Sequence, residues 1–236
     1  MTAQLSFPPL LQGQPAPDGA DPFERAQALA ALGCDGGTIV HAIQADRLRA
    51  AVVFAPETSL DQAMAMLPLC AVGFQNALGA LAPPEVAVHL SWDGQIRVNG
   101  ARCGFFRAAA STREPEEIPD WLVIGWEVAL MPTGAVPGET PDVTALYEEG
   151  CADLSPAGLV ESWSRHMLAW LHRWEEEGNA PLHAEWMGLV QGVGEDVTRE
   201  DVSGTFLGTD DRFGMLIRTA DATRLVPMTE LLETGR

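Results

Sequence analysis

Lysine is absent from the 236 residues, and all 14 basic side chains are arginine. Lysine is ordinarily among the commonest residues, so its absence excludes specific chemistry. There is no internal Schiff base, no P-loop lysine and no desolvated lysine nucleophile or base. Positive charge of any kind is scarce, with 33 acidic residues against 14 basic ones and a net charge of −19. Neutralising phosphates takes clustered Lys or Arg, so no nucleic acid is expected as a partner. No membrane partner is expected either, because an anionic lipid surface would repel this chain. The acid excess reads as a self-repelling, soluble surface.

Other signals are missing too. No 18-residue apolar run suited to a membrane span is evident. The start Met1-Thr-Ala-Gln-Leu5 lacks the basic and apolar stretches of a secretory signal, so the expected location is cytoplasmic. The four cysteines, Cys34, Cys70, Cys103 and Cys151, lie 33 or more residues apart. That spacing gives neither a C-x-x-C zinc site nor a small disulfide scaffold, and it predicts packed free thiols. His166 and His172 are six residues apart, a spacing that does not place two ligands on one helical face, and no metal ligands are expected. The glycine-rich phosphate loops, the G-x-S-x-G elbow, the H-E-x-x-H helix and internal repeats are all missing.

What remains is an apolar content of 47%, enough for one ordinary core and a small appendage. The boundary is expected at Gly192-Val-Gly-Glu-Asp196, giving units 1–192 and 196–236. In the first unit, Phe23 to Leu32 reads as a helix stopped by Gly33. Thr38 to Ile43 and Arg47 to Phe54 read as a hairpin joined by Gln44-Ala-Asp-Arg47. Ser59, with Gln62 three residues on, has the capping-box spacing and opens a helix to Leu81 that Pro68 should kink. Residues 85–92, 95–99, 102–109 and 121–131 are strand-like by β-branched and aromatic content.

After the Pro- and Gly-rich stretch Pro132 to Pro141, Ser155-Pro156 caps and starts a helix to about residue 176. Leu159, Trp163, Met167, Trp170, Leu171 and Trp174 recur along it at core-facing spacing. A short helix follows at 182–190. Beyond the boundary, residues 204–208, 210–217 and 223–227 read as three short strands, too few to fold alone and so expected to dock on the main unit through Phe206, Leu207, Phe213, Leu216 and Leu225. The fold class is therefore α+β, a mixed or antiparallel sheet flanked by helices.

The segment Ser91-Trp-Asp-Gly-Gln-Ile-Arg-Val-Asn-Gly-Ala-Arg-Cys-Gly104, followed by Trp121-Leu-Val-Ile-Gly-Trp-Glu-Val-Ala129, resembles the central motifs of biotin protein ligases and lipoate ligases. Those read K-W-P-N-D, then K-x-G-G-I, then V-G-I-G-I-N. Thr144-Ala-Leu-Tyr-Glu-Glu-Gly150 is similar to their A-T-S-L-x-E segment. Pro181-Leu-His-Ala-Glu-Trp186 falls where they carry a tryptophan on the last helix. Gly204-Thr-Phe-Leu-Gly208 with Leu225-Val-Pro resembles their SH3-like carboxy-terminal domain. The resemblance implies the class II synthetase or biotin ligase-like fold and a ligand site lined by Trp92, Asn99, Arg102, Cys103, Gly104, Gly125, Trp126 and Glu127.

Members of that family join biotin or lipoate to AMP from ATP, then pass the acyl group to a lysine of an acceptor protein. Against their motifs the catalytic lysine falls at Ala101 and the lysine opening W-P-N-D at Ser91. The second glycine of V-G-I-G-I-N becomes Glu127 and its asparagine Ala129. The phosphate-wrapping Gly/Arg loop shrinks to Gln44-Ala-Asp-Arg47. No catalytic residue is assigned. The implied reading is a degenerate ligase-like protein without adenylation that binds a small carboxylate or nucleotide. Either Glu127 or Trp126, according to strand alternation, would fill the biotin pocket. The alternatives are a divergent active ligase using ATP and biotin or lipoate, and an octanoyl-type transferase acting through Cys103 with an acyl-carrier protein as partner.

Overall fold

The computed structural model describes residues 5–132, 142–199 and 201–233. In chain order the elements are β1 (Gln12–Pro15), α1 (Pro22–Ala31), β2 (Thr38–Ile43), β3 (Arg47–Phe54), α2 (Leu60–Ala63), α3 (Met66–Leu81), β4 (Val88–Leu90), β5 (Gln95–Val98), β6 (Ala101–Ala110) and β7 (Leu122–Ala129). Then come α4 (Pro156–Glu177), α5 (Asn179–Leu189), β8 (Asp196–Arg199), β9 (Val202–Thr209), β10 (Met215–Arg218), β11 (Thr223–Val226) and a 3-10 turn, Met228–Leu231.

Strands one to seven form a single sheet in the order β1-β2-β3-β7-β6-β5-β4. Only β1 and β2 run parallel; the other neighbours are antiparallel, so the sheet is mixed as expected. Its two faces are covered differently. On one, Phe23, Ala26 and Ala30 of α1 pack on Val40, Ala51, Val53, Ala109 and Val123. On the other, α3, α4 and α5 close over Ile39, Leu48, Val52, Ile124 and Trp126. Alternation along β7 therefore sends Val123 and Gly125 toward α1, and Ile124 and Trp126 toward α3 and α4. Helix α3 is sandwiched between sheet and helices, and eleven of its sixteen residues are buried. Close approach of α4 depends on Gly73, where a Cβ would stand 3.0 Å from the Met167 amide nitrogen.

This burial corrects one expectation. Leu60–Leu81 is long and apolar enough to cross a membrane, but 72% of its most apolar window is buried inside the protein. A helix apolar all round is what an interior position requires. The expected single helix from Ser59 is also two helices. Pro68 does not kink it; it is the third residue of α3, where a missing N–H costs no helical bond. The Ser59 side chain makes no cap bond. Instead the carbonyls of Glu117 and Pro115 accept from the amides of Leu60 and Asp61, so a neighbouring loop does the capping.

β4 spans only Val88–Leu90, because Pro83-Pro84 and the turn at Trp92 bracket it. β1 and β8 were not expected. Their sequences, QGQP and DVTR, have no apolar alternation, and β1 is exposed along its length. The Pro- and Gly-rich stretch lies outside the described residues from Thr133 to Pro141.

The carboxy-terminal strands form a separate antiparallel sheet, β11-β10-β9-β8, four strands rather than three. Phe206 and Phe213 are buried in it, whereas Leu207 and Leu225 are exposed, which corrects the expected packing set. Alternation puts Phe206 inward on β9 and Met215 and Ile217 inward on β10, while the register shift between Leu216/Gly208 and Ile217/Phe206 leaves Leu207 unpaired and outward. The sheet is tied to the main unit by polar contacts. The Trp92 indole donates to the Phe213 carbonyl at 2.8 Å, Arg199 pairs with Asp93 at 2.6 Å, and Asn179 donates to the Asp211 carbonyl at 2.8 Å.

Candidate functional site

The centre of the sheet on the α1 face gathers charge. Register places Arg49 opposite Glu127, and Glu127 opposite Phe105. One step along, Ala51 faces Gly125 and Gly125 faces Arg107. Because side chains alternate, Arg49, Phe105, Arg107 and Glu127 surround Gly125 on one face. α1 enters over them. Its cap residue Asp21 accepts from the Phe23 amide with one carboxylate oxygen and from Arg107 with the other, at 2.9 and 2.7 Å. Pro at the first turn fixes that entry. Phe23 then lies directly on Gly125, where a Cβ would stand 2.6 Å from its ring. The Arg107 guanidinium sits 4.2 Å from the centre of the same ring.

Arg107 has a second acid, Glu233, which accepts from both Nε and Nη2, the latter at 2.8 Å. Hydrogen bonds from Glu233 first and Asp21 second push its pKa above the ordinary arginine value against the cost of burial. Glu127 lies between Arg47 at 3.4 Å and Arg49 at 4.0 Å. Arg47 also holds Asp46, whose pKa its hydrogen bond lowers. The crevice left among Asp21, Phe23, Arg49, Arg107 and Glu127 has a volume of about 10 Å³, room for one water.

The eight sequence-predicted residues do not form one pocket. Of the eight, Glu127 and Trp126 line this crevice, and Gly125 is covered by the Phe23 ring next to it. Gly104 is on β6 two strands from β3, packed so tightly on β7 that a Cβ would overlap the Glu127 carbonyl oxygen. Trp126 points to the opposite face, edge-on to Phe74 and Trp163 in the core. Of the two routes by which alternation could fill the pocket, the geometry thus places Glu127, not Trp126, on the α1 face.

Trp92 is the latch to the carboxy-terminal sheet. Asn99, with φ of 50°, and Gly100, with φ of 91°, form the two-residue turn between β5 and β6. Asn-Gly is the pair that turn favours, and the Asn99 side chain accepts from the Ala87 amide and donates to Glu149. Arg102 is exposed, bridging through its backbone to the 142–144 segment. Cys103 is buried, with its thiol against the Ala129 carbonyl and pushed up to about 12 by desolvation.

Asp21, Phe23, Arg49 and Glu233 were not assigned to a site from sequence. One signal was available: Arg107 has the opposite parity to Arg102 on the same strand, so the two cannot share a face without a bulge.

A much larger cavity lies elsewhere, on the other side of the sheet, with a volume of about 1210 Å³. Val52, Phe54, Met66, Met167, Leu171 and Trp174 wall it, while Glu57, Glu175, Glu177 and Asp211 stand at its rim. None of the eight predicted residues lines it. Arg212, also at the rim, is paired with Asp61 at 2.5 Å. The rim is therefore unfavourable to anions. No group of three His, Cys, Asp or Glu able to hold a metal occurs among the described residues.

Residues 7–188 match the model of the biotin/lipoate A/B protein ligase family. Residues 193–234 match a domain of unknown function, DUF4444. No curated protein sequence matches the chain. Among solved structures, a biotin protein ligase-like protein of unknown function from Silicibacter is 55% identical, with a TM-score of 0.93 over 98% of this chain and 100% of that one. A biotin protein ligase variant from Aquifex aeolicus in complex with biotin is 14% identical, with a TM-score of 0.73 over 92% and 96% of the two chains. The Leishmania major biotin protein ligase in complex with biotin is 12% identical, with a TM-score of 0.58 over 93% and 99%.

Proposed function

Because this chain belongs to the biotin/lipoate A/B protein ligase family, we propose that it is a ligase-like protein that has lost adenylation and binds a small carboxylate or nucleotide on the α1 face of its sheet. The observation that carries this reading is Phe23 seated on Gly125. Gly125 is the one glycine kept from the family motif V-G-I-G-I-N, the second glycine, whose backbone would line the ligand, being Glu127 here; an aromatic ring covers Gly125, and the crevice that Glu127 lines has a volume of about 10 Å³. These residues do not fit biotin or lipoate joined to AMP.

Two further features support the reading. The residue at the catalytic lysine position is Ala101, and no lysine exists elsewhere to replace it. Donors aimed at developing charge are usually the largest catalytic term, and removing one costs about 100- to 1,000-fold. The β2–β3 connection, residues 44–46, is too short to wrap a triphosphate. The acyl-transferase alternative is disfavoured by a Cys103 thiol that stays protonated near neutral pH, since the thiolate is the nucleophile. The carboxy-terminal sheet is read as an SH3-like unit, residues 196–236, docked on a ligase-like unit, residues 1–192, in a cytoplasmic protein.

The test is pyrophosphate exchange with ATP and biotin or lipoate. No exchange above the protein-free rate is expected. Robust exchange abolished by substitution at Gly104 or Gly125 would restore the enzyme.

A further inference from the structure

Helix α4 carries more apolar stripe than the fold covers. Leu159, Trp163 and Met167 are fully buried, but no residue of α4 beyond Met167 is. The period continues nonetheless to Leu171 and Trp174, which are half-buried and line the large cavity together with Val52, Phe54 and Met66. A stripe kept at core spacing past the end of its cover leaves an apolar face open to water. The size of the cavity limits what fills that face. Its volume of about 1210 Å³ exceeds the roughly 300–1,000 Å³ of small-ligand pockets. A helix about 11 Å across would occupy it over about 13 Å, or roughly two and a half turns. That is the span of an i, i+3, i+4, i+7 set of apolar anchors, the pattern by which a helix lies in a groove.

The rim sets the charge of such a helix. Its carboxylates come from three separate segments: Glu57 after β3, Glu175 and Glu177 at the end of α4, and Asp211 between β9 and β10. The bases nearby are already taken, Arg173 by Glu177 at 3.1 Å and Arg212 by Asp61 at 2.5 Å. The hydrogen bond from Asp61, and then the nearby charges of Asp211 and Glu116, raise the Arg212 pKa, so that corner sets three acids against one base. Among the described residues Glu57 and Asp211 have no ion-pair partner, and Glu175 has only His172, at 3.6 Å. α4 adds the negative end of its dipole, with no basic residue in its last turn to offset it. A second copy of the chain, at a net charge of −19, would bring the same sign to this rim. Of the chain's own stretches outside the described residues, the longest, 133–141, reads TGAVPGETP, with two prolines and no base.

We propose that this groove is the docking site for a short, basic amphipathic helix of another protein. The apolar face of that helix lies on Met66, Leu171 and Trp174, and its flanking Lys or Arg residues face Glu57, Glu175 and Asp211. Burial of Leu171 and Trp174 supplies most of the affinity, since exposed ion pairs contribute little each, and the rim carboxylates select the sign of the partner. Met66 and Met167, unbranched and adaptable, let the floor accept apolar side chains of differing shape. The groove and the α1 face lie on opposite sides of the sheet, so docking here does not depend on what the α1 face binds.

The probe is the amphipathic peptide LKKLLKLLKKLLKL carrying a neutral dye, titrated with the full chain and followed by fluorescence anisotropy. A scrambled peptide of the same composition, with no apolar helical face, and the charge-reversed LEELLELLEELLEL are the references. The basic amphipathic peptide should bind one-to-one, the scrambled one at least about tenfold more weakly, and the acidic one not at all. Leu171→Arg, at a half-buried position that should leave the fold intact, should weaken binding at least about tenfold. Glu57→Gln combined with Asp211→Asn should weaken it about fivefold. Asp18→Asn combined with Glu24→Gln, which removes two exposed acids on the α1 side, should change it by less than about twofold. Equal binding of the scrambled peptide, or equal effects of the two acid pairs, would reduce the attraction to net charge and overturn the proposal. So would binding indifferent to Leu171→Arg, or no binding of the basic amphipathic peptide. Self-association of the chain that Leu171→Arg abolishes would overturn it in favour of a second copy.

Discussion

The indole N–H of Trp92 donates to the backbone carbonyl of Phe213 at 2.8 Å, and both residues are buried where the small sheet meets the large one. Phe213 has φ of 65°, a left-handed conformation uncommon outside glycine. It is held there by Asp210, whose side chain accepts from the amides of Arg212 and Gly214. The tryptophan that resembles a ligase motif residue therefore serves as the joint between units.

Trp92→Phe should leave the Phe213 carbonyl without a partner and lower unfolding free energy by about 1–3 kcal/mol. Trp92→Ala adds a cavity and should cost about 3–5 kcal/mol. Urea denaturation measures both. Removing residues 193–236 should expose Trp92 and its surroundings and lower solubility. A truncated chain that keeps its melting temperature and stays monodisperse would show that the joint contributes nothing.

Gly104 and Gly125 are both glycines of the resembling motifs, but they are constrained by different neighbours. A Cβ at Gly104 meets the Glu127 carbonyl on the adjacent strand, and backbone cannot yield without parting β6 from β7. A Cβ at Gly125 meets the Phe23 ring, which can turn or shift with α1. Gly104→Ala should therefore cost more than Gly125→Ala, for which about 1–3 kcal/mol is expected from overpacking. Phe23→Leu should recover part of the Gly125→Ala loss and none of the Gly104→Ala loss. Thermal unfolding of the three single and two double variants decides this; equal rescue of both would show that Phe23 does not set the space above Gly125.

His41 supplies a pH test. It is buried beside Phe7, and desolvation lowers its pKa from 6.5. The unfolded chain then takes up its proton first as pH falls, so stability decreases with falling pH from about 6.5 down to the lowered value and is flat below it. Burial also lowers the pKa of His166. His41→Gln should flatten the stability profile between pH 7 and 5 relative to the unsubstituted chain. An unchanged slope would assign the titration elsewhere.

Much of the architecture was legible because it rests on local patterns. The β2–β3 hairpin, the Ser155-Pro156 start of α4 and the stripe from Leu159 to Trp174 are set by alternation, capping and helical period, and these survive in the folded chain. β1 and β8 were not legible because their strand state comes from pairing alone, and the Ser59 cap failed because a distant loop supplied the acceptors. The site was less legible for a similar reason. Gly125 and Glu127 could be placed from motif spacing, but the approach of Phe23, Arg107 and Glu233 depends on the register of β6 against β7 and on a segment more than 100 residues away. Motif position likewise does not reveal that the Trp92 side chain joins the two sheets and that Asn99 forms the β5–β6 turn.

Cys103 decides between a binding protein and a thiol-dependent transferase. It lies at the end of β6 with its sulfur 3.6 Å from the Ala129 carbonyl, and desolvation raises its pKa from 9.0 to about 12. Burial also raises the pKa of Cys70 and Cys151, while Cys34 is half-exposed. Iodoacetamide at pH 8 should therefore modify Cys34 in the native protein and reach Cys70, Cys103 and Cys151 only in urea, as peptide mass spectrometry would show. The same shift makes stability pH-dependent. Above pH 9 the unfolded thiol ionises while the folded one does not, so Cys103 lowers the unfolding free energy by about 1.4 kcal/mol for each pH unit between 9 and about 12. Cys103→Ala should remove that share of the slope. Rapid native alkylation of Cys103, with no loss of stability on raising the pH above 9, would mean that its thiolate is accessible and would return acyl transfer to consideration.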